Sequence, residues 1–263
     1  MGLLRAIVRA AFLCAFTAVM YLLVISGKFL LNPFKKLRLG WVDLMLRIWG
    51  RGLCFVLGIN VTKYGQPPEA PFILVSNHLS YVDILVFASQ VACVFIAKKD
   101  VASWPAIGSL CRAAGTIFVD RESRRDVVRV NQLIEQALNE GHGIILFPEG
   151  TSTEGARVRP FNPSLLDRAA KNGLPVHHAS VSYRTLKGDP PAHMSVCWWG
   201  DMTFMSHFAR LLKLRSVQAT VLFGTQPVSG NDRKSLAAEL HNAVISEFVP
   251  VVDLEEKCKT AVQ

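Results

Sequence analysis

The chain has 263 residues, of which 51% are hydrophobic and 19% charged, and its formal net charge is +9. That length buries a full core without a disulfide or metal staple, and the apolar content excludes intrinsic disorder, collagen, coiled coil and low-complexity classes. A chain both basic and apolar points to an anionic membrane surface ahead of nucleic acid, because nucleic-acid binders concentrate positive charge without such an apolar excess.

The apolar excess is uneven. No charged residue occurs between Arg9 and Lys28. Residues 10–27 make about 27 Å of helix, against a hydrocarbon core about 30 Å thick, so the stretch is long enough to embed in or cross a bilayer. Arg5 and Arg9 precede it; Lys28, Lys35, Lys36 and Arg38 come after it. The larger positive cluster puts the subsequent chain on the cytoplasmic side. The stretch is long for the apolar part of a secretory signal and no small-residue cleavage site comes after it, so an uncleaved anchor is expected. Over residues 41–61, Asp43, Arg47 and Arg51 recur every four positions as a polar stripe, and Leu44, Met45, Ile48, Trp49 and Leu53 cover much of the rest. This pattern predicts a helix lying in the membrane interface, the alternative being a helix packed on its own domain; Gly58 and Asn60 end it. Residues 1–62 thus read as a membrane-anchoring helix pair. The turn Gln66-Pro67-Pro68 marks the passage into a domain over residues 63–263.

Short apolar runs at 71–76, 93–97, 116–120, 143–147, 176–183, 194–199 and 219–223 read as strands. Helical spacing lies between several of them. Ser123 caps a segment with Val127, Val130, Ile134 and Ala137 on one face, closed by Gly141; residues 231–248 align Leu236, Leu240 and Val244. The alternation predicts an α/β domain with a mostly parallel central sheet flanked by helices. Cys14, Cys54, Cys93, Cys111, Cys197 and Cys258 are scattered, with neither C-x-x-C nor zinc spacing, as expected of core residues in a reducing compartment.

Residues able to do chemistry fall where strands end, which is where open α/β sheets gather ligands. Asn77-His78-Leu79-Ser80-Tyr81-Val82-Asp83 comes directly after the strand at 71–76. On one continuous helix His78 and Asp83 would stand about 140° apart. With His78 in the strand-to-helix turn, Ser80 as N-cap and Asp83 in the first helical turn, they meet. Asp83 then holds one imidazole nitrogen and leaves the other as a base. The pair alone is a weak signal, and a capping His beside a first-turn Asp is its structural alternative. No G-x-S-x-G elbow is present and nothing adjacent activates Ser76, Ser80 or Cys111, so a base acting directly on a substrate hydroxyl is the simpler chemistry. Arg121 stands just beyond the strand at 116–120, and Phe147-Pro148-Glu149-Gly150-Thr151-Ser152 ends another strand in a tight turn. His177 and His178 are adjacent on a strand, so they point to opposite faces and no metal site is expected there.

Taken in order, NHLSYVD, GTIFVDR and FPEGTS resemble the motifs of the 1-acylglycerol-3-phosphate acyltransferase (lysophospholipid acyltransferase) family, over about residues 70–185. The resemblance implies acyl transfer from a thioester, acyl-CoA or acyl carrier protein, to the free hydroxyl of 1-acyl-glycerol-3-phosphate, giving phosphatidic acid with no further cofactor. It makes His78 the general base and Asp83 its orienting partner. It makes Arg121 a phosphate ligand, with Lys98 as a second positive charge, and Glu149 a holder of the glycerol or of a cation. Gly150 lets the backbone approach the substrate, and its neighbouring amides, with Thr151, face the oxyanion. The implied partners are membrane phospholipids, the lysolipid and the thioester, without nucleic acid. The implied place is a bacterial inner membrane with the catalytic domain on the cytoplasmic side. Two departures bear on the acceptor headgroup. His178 in Leu174-Pro175-Val176-His177-His178-Ala179 stands where the family often has a second proline, and Asn162-Pro163-Ser164 replaces a frequent Lys-Gly pair. Another lysolipid acceptor, such as lyso-ornithine lipid, therefore stands beside the phosphate-bearing one. A non-catalytic lipid-binding protein is the third reading, and the intact His78 and Asp83 argue against it.

Overall fold

The computed structural model describes residues 1–252. Helices α1 (Gly2–Leu30) and α2 (Lys35–Leu57) lead into β1 (Ile59–Tyr64) and β2 (Phe72–Ser76). Next are α3 (Val82–Gln90), β3 (Val94–Lys98), α4 (Ile107–Ala113), β4 (Ile117–Val119), α5 (Arg124–Asn139) and β5 (Gly143–Leu146). Then come α6 (Asp167–Lys171), β6 (Val176–Thr185), α7 (Ala192–Ser195), α8 (Phe204–Lys213), β7 (Val217–Phe223) and α9 (Arg233–Glu247). The strands form one sheet in the order β1-β7-β6-β2-β5-β3-β4. Neighbours run parallel except β6 and β7. This is the α/β domain that the alternating pattern predicts.

β2 lies between β5 and β6 and is buried along its whole length, which is why it is a continuous apolar run rather than an alternating one. Its residues divide between two cores. Phe72 and Leu74 pack with Ile145, Val181 and Tyr183 against α2 and α3. Ile73 and Val75 pack with Ile144 and Leu146 against Val130 and Ile134 of α5 and Leu236, Leu240 and Val244 of α9. Each fully buried aliphatic side chain here stabilises the fold by about 1.5–3 kcal/mol. The Ser123 hydroxyl caps α5 as expected, accepting from Asp126 N at 3.2 Å.

α2 packs one face on the domain and leaves Leu37, Leu44, Ile48 and Phe55 exposed. Its buried face, Met45, Leu46, Gly50, Leu53, Cys54 and Leu57, lies against the domain. Gly50 makes the approach to α3 possible, since a Cβ there would stand 2.7 Å from Ser89 N. Arg51, from the polar stripe, donates to Ser89 O at 3.1 Å near the end of α3. Gly58 ends α2 in the left-handed region, φ 71°, and the chain enters β1, which pairs with β7 from Ile59 to Tyr64. The expected division at residues 62 and 63 thus falls inside β1.

α1 is different. Its buried residues are Ala6, Leu13, Met20 and Gly27, one stripe at seven-residue spacing, while Phe12, Leu22, Phe29 and Leu30 are exposed. Its apolar core has a mean hydropathy of 2.2, long and apolar enough to cross a membrane. Both ends are tied to the same domain. Arg5 donates to Lys213 O (2.9 Å) and Arg9 to Leu214 O (2.6 Å), at the carboxyl end of α8. Lys28 donates to Ala113 O (3.2 Å) at the carboxyl end of α4. Cationic side chains are favoured at helix carboxyl ends, where unpaired carbonyls gather.

One expected strand is absent. Residues 194–199 form the end of α7 and a loop. Pro191 opens α7, and Ala192 O accepts from both Val196 N (2.8 Å) and Cys197 N (2.9 Å), so the turn satisfies the backbone locally and leaves nothing for a sheet. Cys54, Cys93 and Cys197 are buried, Cys111 is half-buried and Cys14 is exposed; Cys258 lies outside the described residues.

Candidate active site

The parallel strands deliver their ends to one edge, and the order of β2, β5, β3 and β4 sets the order of the side chains beyond them: His78, Glu149, Lys98 and Arg121. The turn after β2 is fixed first. Buried Asn77 donates from Nδ2 to Val181 O (3.0 Å) and accepts from Val181 N at Oδ1 (2.8 Å), joining the turn to β6. His78 Nδ1 lies 2.7 Å from Asp83 Oδ2. The same oxygen accepts from Leu79 N (2.7 Å) and Ser80 N (3.1 Å), so Asp83 closes the turn from the first turn of α3. Ser80 does not cap α3 through its hydroxyl: its Oγ is buried without a partner among the described residues. Asp83 has no exposed surface, and its Oδ1 accepts from Tyr183 Oη at 2.6 Å. A carboxylate on Nδ1 places the proton there and leaves Nε2 as the basic nitrogen. The imidazole stacks on Phe147, centroids 4.3 Å apart, with part of its edge open to solvent.

Glu149 holds the other side of His78. Its Oε1 accepts from His78 N (2.7 Å) and its Oε2 from Arg159 N (2.8 Å), so both oxygens serve backbone amides. Burial raises its carboxyl to about 7 despite those two bonds. Thr153 N donates to His78 O at 3.0 Å, so the loop after β5 grips both polar groups of the His78 backbone. Gly150 has φ 81°, and a Cβ there would stand 3.0 Å from an Arg121 guanidinium nitrogen. That nitrogen donates to Gly150 O. Gly150 N itself donates to Phe147 O (3.2 Å), which removes it from the expected oxyanion donors of this turn.

Arg121 therefore reaches from the end of β4 back to the turn after β5. Beneath it lies a cavity of about 60 Å³ lined by Ile96, Val119, Leu146, Phe147, Ser164 and Leu166. Lys98 lies near enough to feel the Arg121 charge, but its ammonium is paired with Asp100 at 2.6 Å on the surface. That pairing holds the Lys98 pKa above its ordinary value. Beside the catalytic turn, Tyr81 meets Trp198, Phe204, Phe208 and His207 edge-on, and its Oη lies 2.9 Å from His207 Nδ1. Burial lowers the His207 pKa to about 4, so this histidine is a neutral packing partner. Trp198 N donates to Leu79 O at 2.8 Å, joining the aromatic cluster to the turn. Sequence reasoning missed Tyr183 and this cluster; the one available signal for Tyr183 was a phenol in a strand expected to be buried, since a buried Tyr needs a partner for its hydroxyl. Among the described residues, no group of three or more His, Cys, Asp or Glu is placed to hold a metal ion.

Residues 58–182 match the family model described as Acyltransferase. Lyso-ornithine lipid O-acyltransferase from Rhizobium meliloti is 35% identical over 220 residues, covering 77% of this chain and 75% of that protein. The chain belongs to the acyltransferase family. The Rhodobacter capsulatus lyso-ornithine lipid O-acyltransferase is 32% identical over 78% of the enzyme's chain and 76% of its own. A 1-acyl-sn-glycerol-3-phosphate acyltransferase from Neisseria meningitidis serogroup B is 28% identical, covering 74% and 77%. The crystal structure of the 1-acyl-sn-glycerophosphate (LPA) acyltransferase, PlsC, from Thermotoga maritima superposes with a TM-score of 0.63 at 21% identity, over 93% of the enzyme and 96% of that chain, and shows the same fold. The enzyme is thus an O-acyltransferase acting on lysolipids.

Proposed function

We propose that the enzyme moves an acyl group from an acyl-CoA or acyl carrier protein thioester to a lysolipid hydroxyl, with His78 as general base and Asp83 as its orienting partner. The 2.7 Å bond between His78 Nδ1 and buried Asp83 carries this reading, because it leaves Nε2 basic at the substrate edge of the sheet. Nε2 takes the hydroxyl proton as the oxygen attacks the thioester carbonyl carbon. A C–O bond forms, and the carbonyl oxygen becomes an anion within reach of the amide of Thr151. Its collapse breaks the C–S bond, and the imidazolium returns the proton to the departing thiolate. Asp83 stays ionised and stabilises the imidazolium. The cycle restores the base and needs no cofactor.

The acceptor we favour is a lyso-ornithine lipid. Four relatives of that name are 31–35% identical, against 28–30% for three named for 1-acyl-sn-glycerol-3-phosphate. The site charges agree. Lys98 is paired with Asp100, Asn162-Pro163-Ser164 supplies no cation, and Arg121 is the guanidinium that reaches the turn after β5. One guanidinium suits the single carboxylate of an ornithine headgroup in a bidentate contact, whereas a phosphate dianion calls for more positive charge. 1-Acyl-glycerol-3-phosphate is the second reading, favoured by the nearness of Lys98 to Arg121.

The enzyme acts at a membrane, and we place it on the cytoplasmic face of a bacterial inner membrane, where the thioester donors are. Arg5 and Arg9 at one end of α1 and Lys28 at the other bind the same domain, which supports α1 lying along the domain within one leaflet rather than crossing the bilayer. Purified enzyme in detergent, given labelled oleoyl-CoA with lyso-ornithine lipid, 1-acyl-glycerol-3-phosphate or lysophosphatidylethanolamine, tests the reading. Transfer to lyso-ornithine lipid is expected. Transfer to 1-acyl-glycerol-3-phosphate alone would move the acceptor to the second reading, and transfer to none would defeat the proposal.

A further inference from the structure

The fold brings a third side chain to the His78–Asp83 pair. Tyr183 stands on β6, 100 positions after Asp83, and its hydroxyl donates to Asp83 Oδ1 at 2.6 Å. The other carboxylate oxygen is already filled by His78 Nδ1, Leu79 N and Ser80 N. Tyr183 is 1% exposed, within the core that also holds Val86, Phe87 and Val181. Its strand is locked to the catalytic turn two residues earlier by the paired bonds between Asn77 and Val181. The phenol is thereby held on the carboxylate by backbone register as well as by its own bond. Burial first, and then the charge of Asp83, push its pKa well above 10, so it remains a donor throughout the working range.

We propose that Tyr183 is a positioning residue that sets the proton affinity of the His78–Asp83 pair, an assignment that rests on His78 being the base. A carboxylate with no exposed surface depends on its donors to spread its charge. With Tyr183 in place, four donors share that charge, and Asp83 orients the imidazole without making the pair bind a proton too tightly. Without the hydroxyl, Oδ1 loses the donor that the structure gives it. Wherever the proton sits, on imidazole or carboxyl, the pair then binds it more tightly. Glu149 faces the same histidine from the turn after β5, and its carboxyl, raised to about 7, contributes to the profile of wild type and variant alike. The unprotonated pair is the active form, so the part of the acid limb of kcat/KM that belongs to the pair moves to higher pH.

The test is the pH profile of acyl transfer by the full-length enzyme bearing Tyr183→Phe, which keeps the ring and removes only the hydroxyl. The acid limb is expected about one pH unit higher, the size set by one hydrogen bond to a charged group, with both KM values unchanged. A tyrosine that only fills the core lowers the melting temperature and leaves the limb where it is in the wild type; that result overturns the proposal. Should Tyr183→Phe fail to fold, 3-fluorotyrosine at position 183, a stronger donor of nearly the same shape, is expected to move the limb to lower pH. An unmoved limb again overturns it. The underlying reading fails separately: if His78→Ala remains active, His78 is not the base, whereas an inactive His78→Ala with an unmoved limb removes Tyr183 alone.

Discussion

Asp83 gathers four donors from two places in the chain: His78, Leu79 and Ser80 in the turn before it, and Tyr183. Glu149, next to it across the sheet edge, shows the opposite balance. Two amide bonds do not offset its burial, and its carboxyl titrates near 7 against an ordinary 4.5. Between those two values the native state binds this proton more tightly than the unfolded chain, so the stability due to Glu149 falls as pH rises through that window. Melting temperatures from pH 4.5 to 7 are therefore expected to drop more steeply for the wild type than for Glu149→Gln. Equal slopes would mean that burial does not hold the carboxyl up. Arg121 makes a kinetic prediction instead. Arg121→Ala is expected to raise the acceptor KM about tenfold or more, the size of a lost charge-assisted contact, and to leave the donor KM unchanged. An acceptor KM equal to that of the wild type would remove Arg121 from the site. What could be read from sequence at this scale was what is local. His78 and Asp83 share one turn, and their spacing announces them. Tyr183 reaches Asp83 through strand register, which leaves no local pattern. Glu149 was legible as a site residue, but its partners are backbone amides, which no motif displays.

At the scale of elements, the outcome turned on what each apolar face meets. α5 has one apolar stripe and a serine cap, and it forms as read. α2 carries a polar stripe that suits a membrane interface or a domain surface; its buried face lies on the domain, with Gly50 against the backbone of α3. Residues 194–199 are apolar enough for a strand, yet Pro191 and the Ala192 carbonyl turn them into a helical end and a loop. α1 buries one narrow stripe and leaves Phe12, Leu22 and Phe29 exposed. Alkaline carbonate washing of membranes is expected to leave the protein in the pellet, because removing α1 from lipid exposes those side chains to water. Release of the intact protein into the supernatant would contradict an embedded α1.

For the whole molecule, topology converts a sequence order into a spatial one. Motifs separated by tens of residues line up along one sheet edge because β2, β5, β3 and β4 are parallel neighbours. The α1–α2 pair and the sheet share a core, so the apolar N-terminal helix is packed on the domain that carries the candidate site. The basic, apolar composition is accounted for in the same terms. Its apolar excess is concentrated in α1, and some of its positive charge docks that helix through Arg5, Arg9 and Lys28. Of the remaining cations, Arg121 is the one we propose for the substrate. The chemistry stands or falls on His78. Its most direct measurement is the rate of acyl transfer from oleoyl-CoA to lyso-ornithine lipid by His78→Ala, beside wild-type enzyme of equal melting temperature. A fall of about 10²–10⁴-fold is expected, the usual contribution of a general base; a variant as fast as the wild type would contradict it.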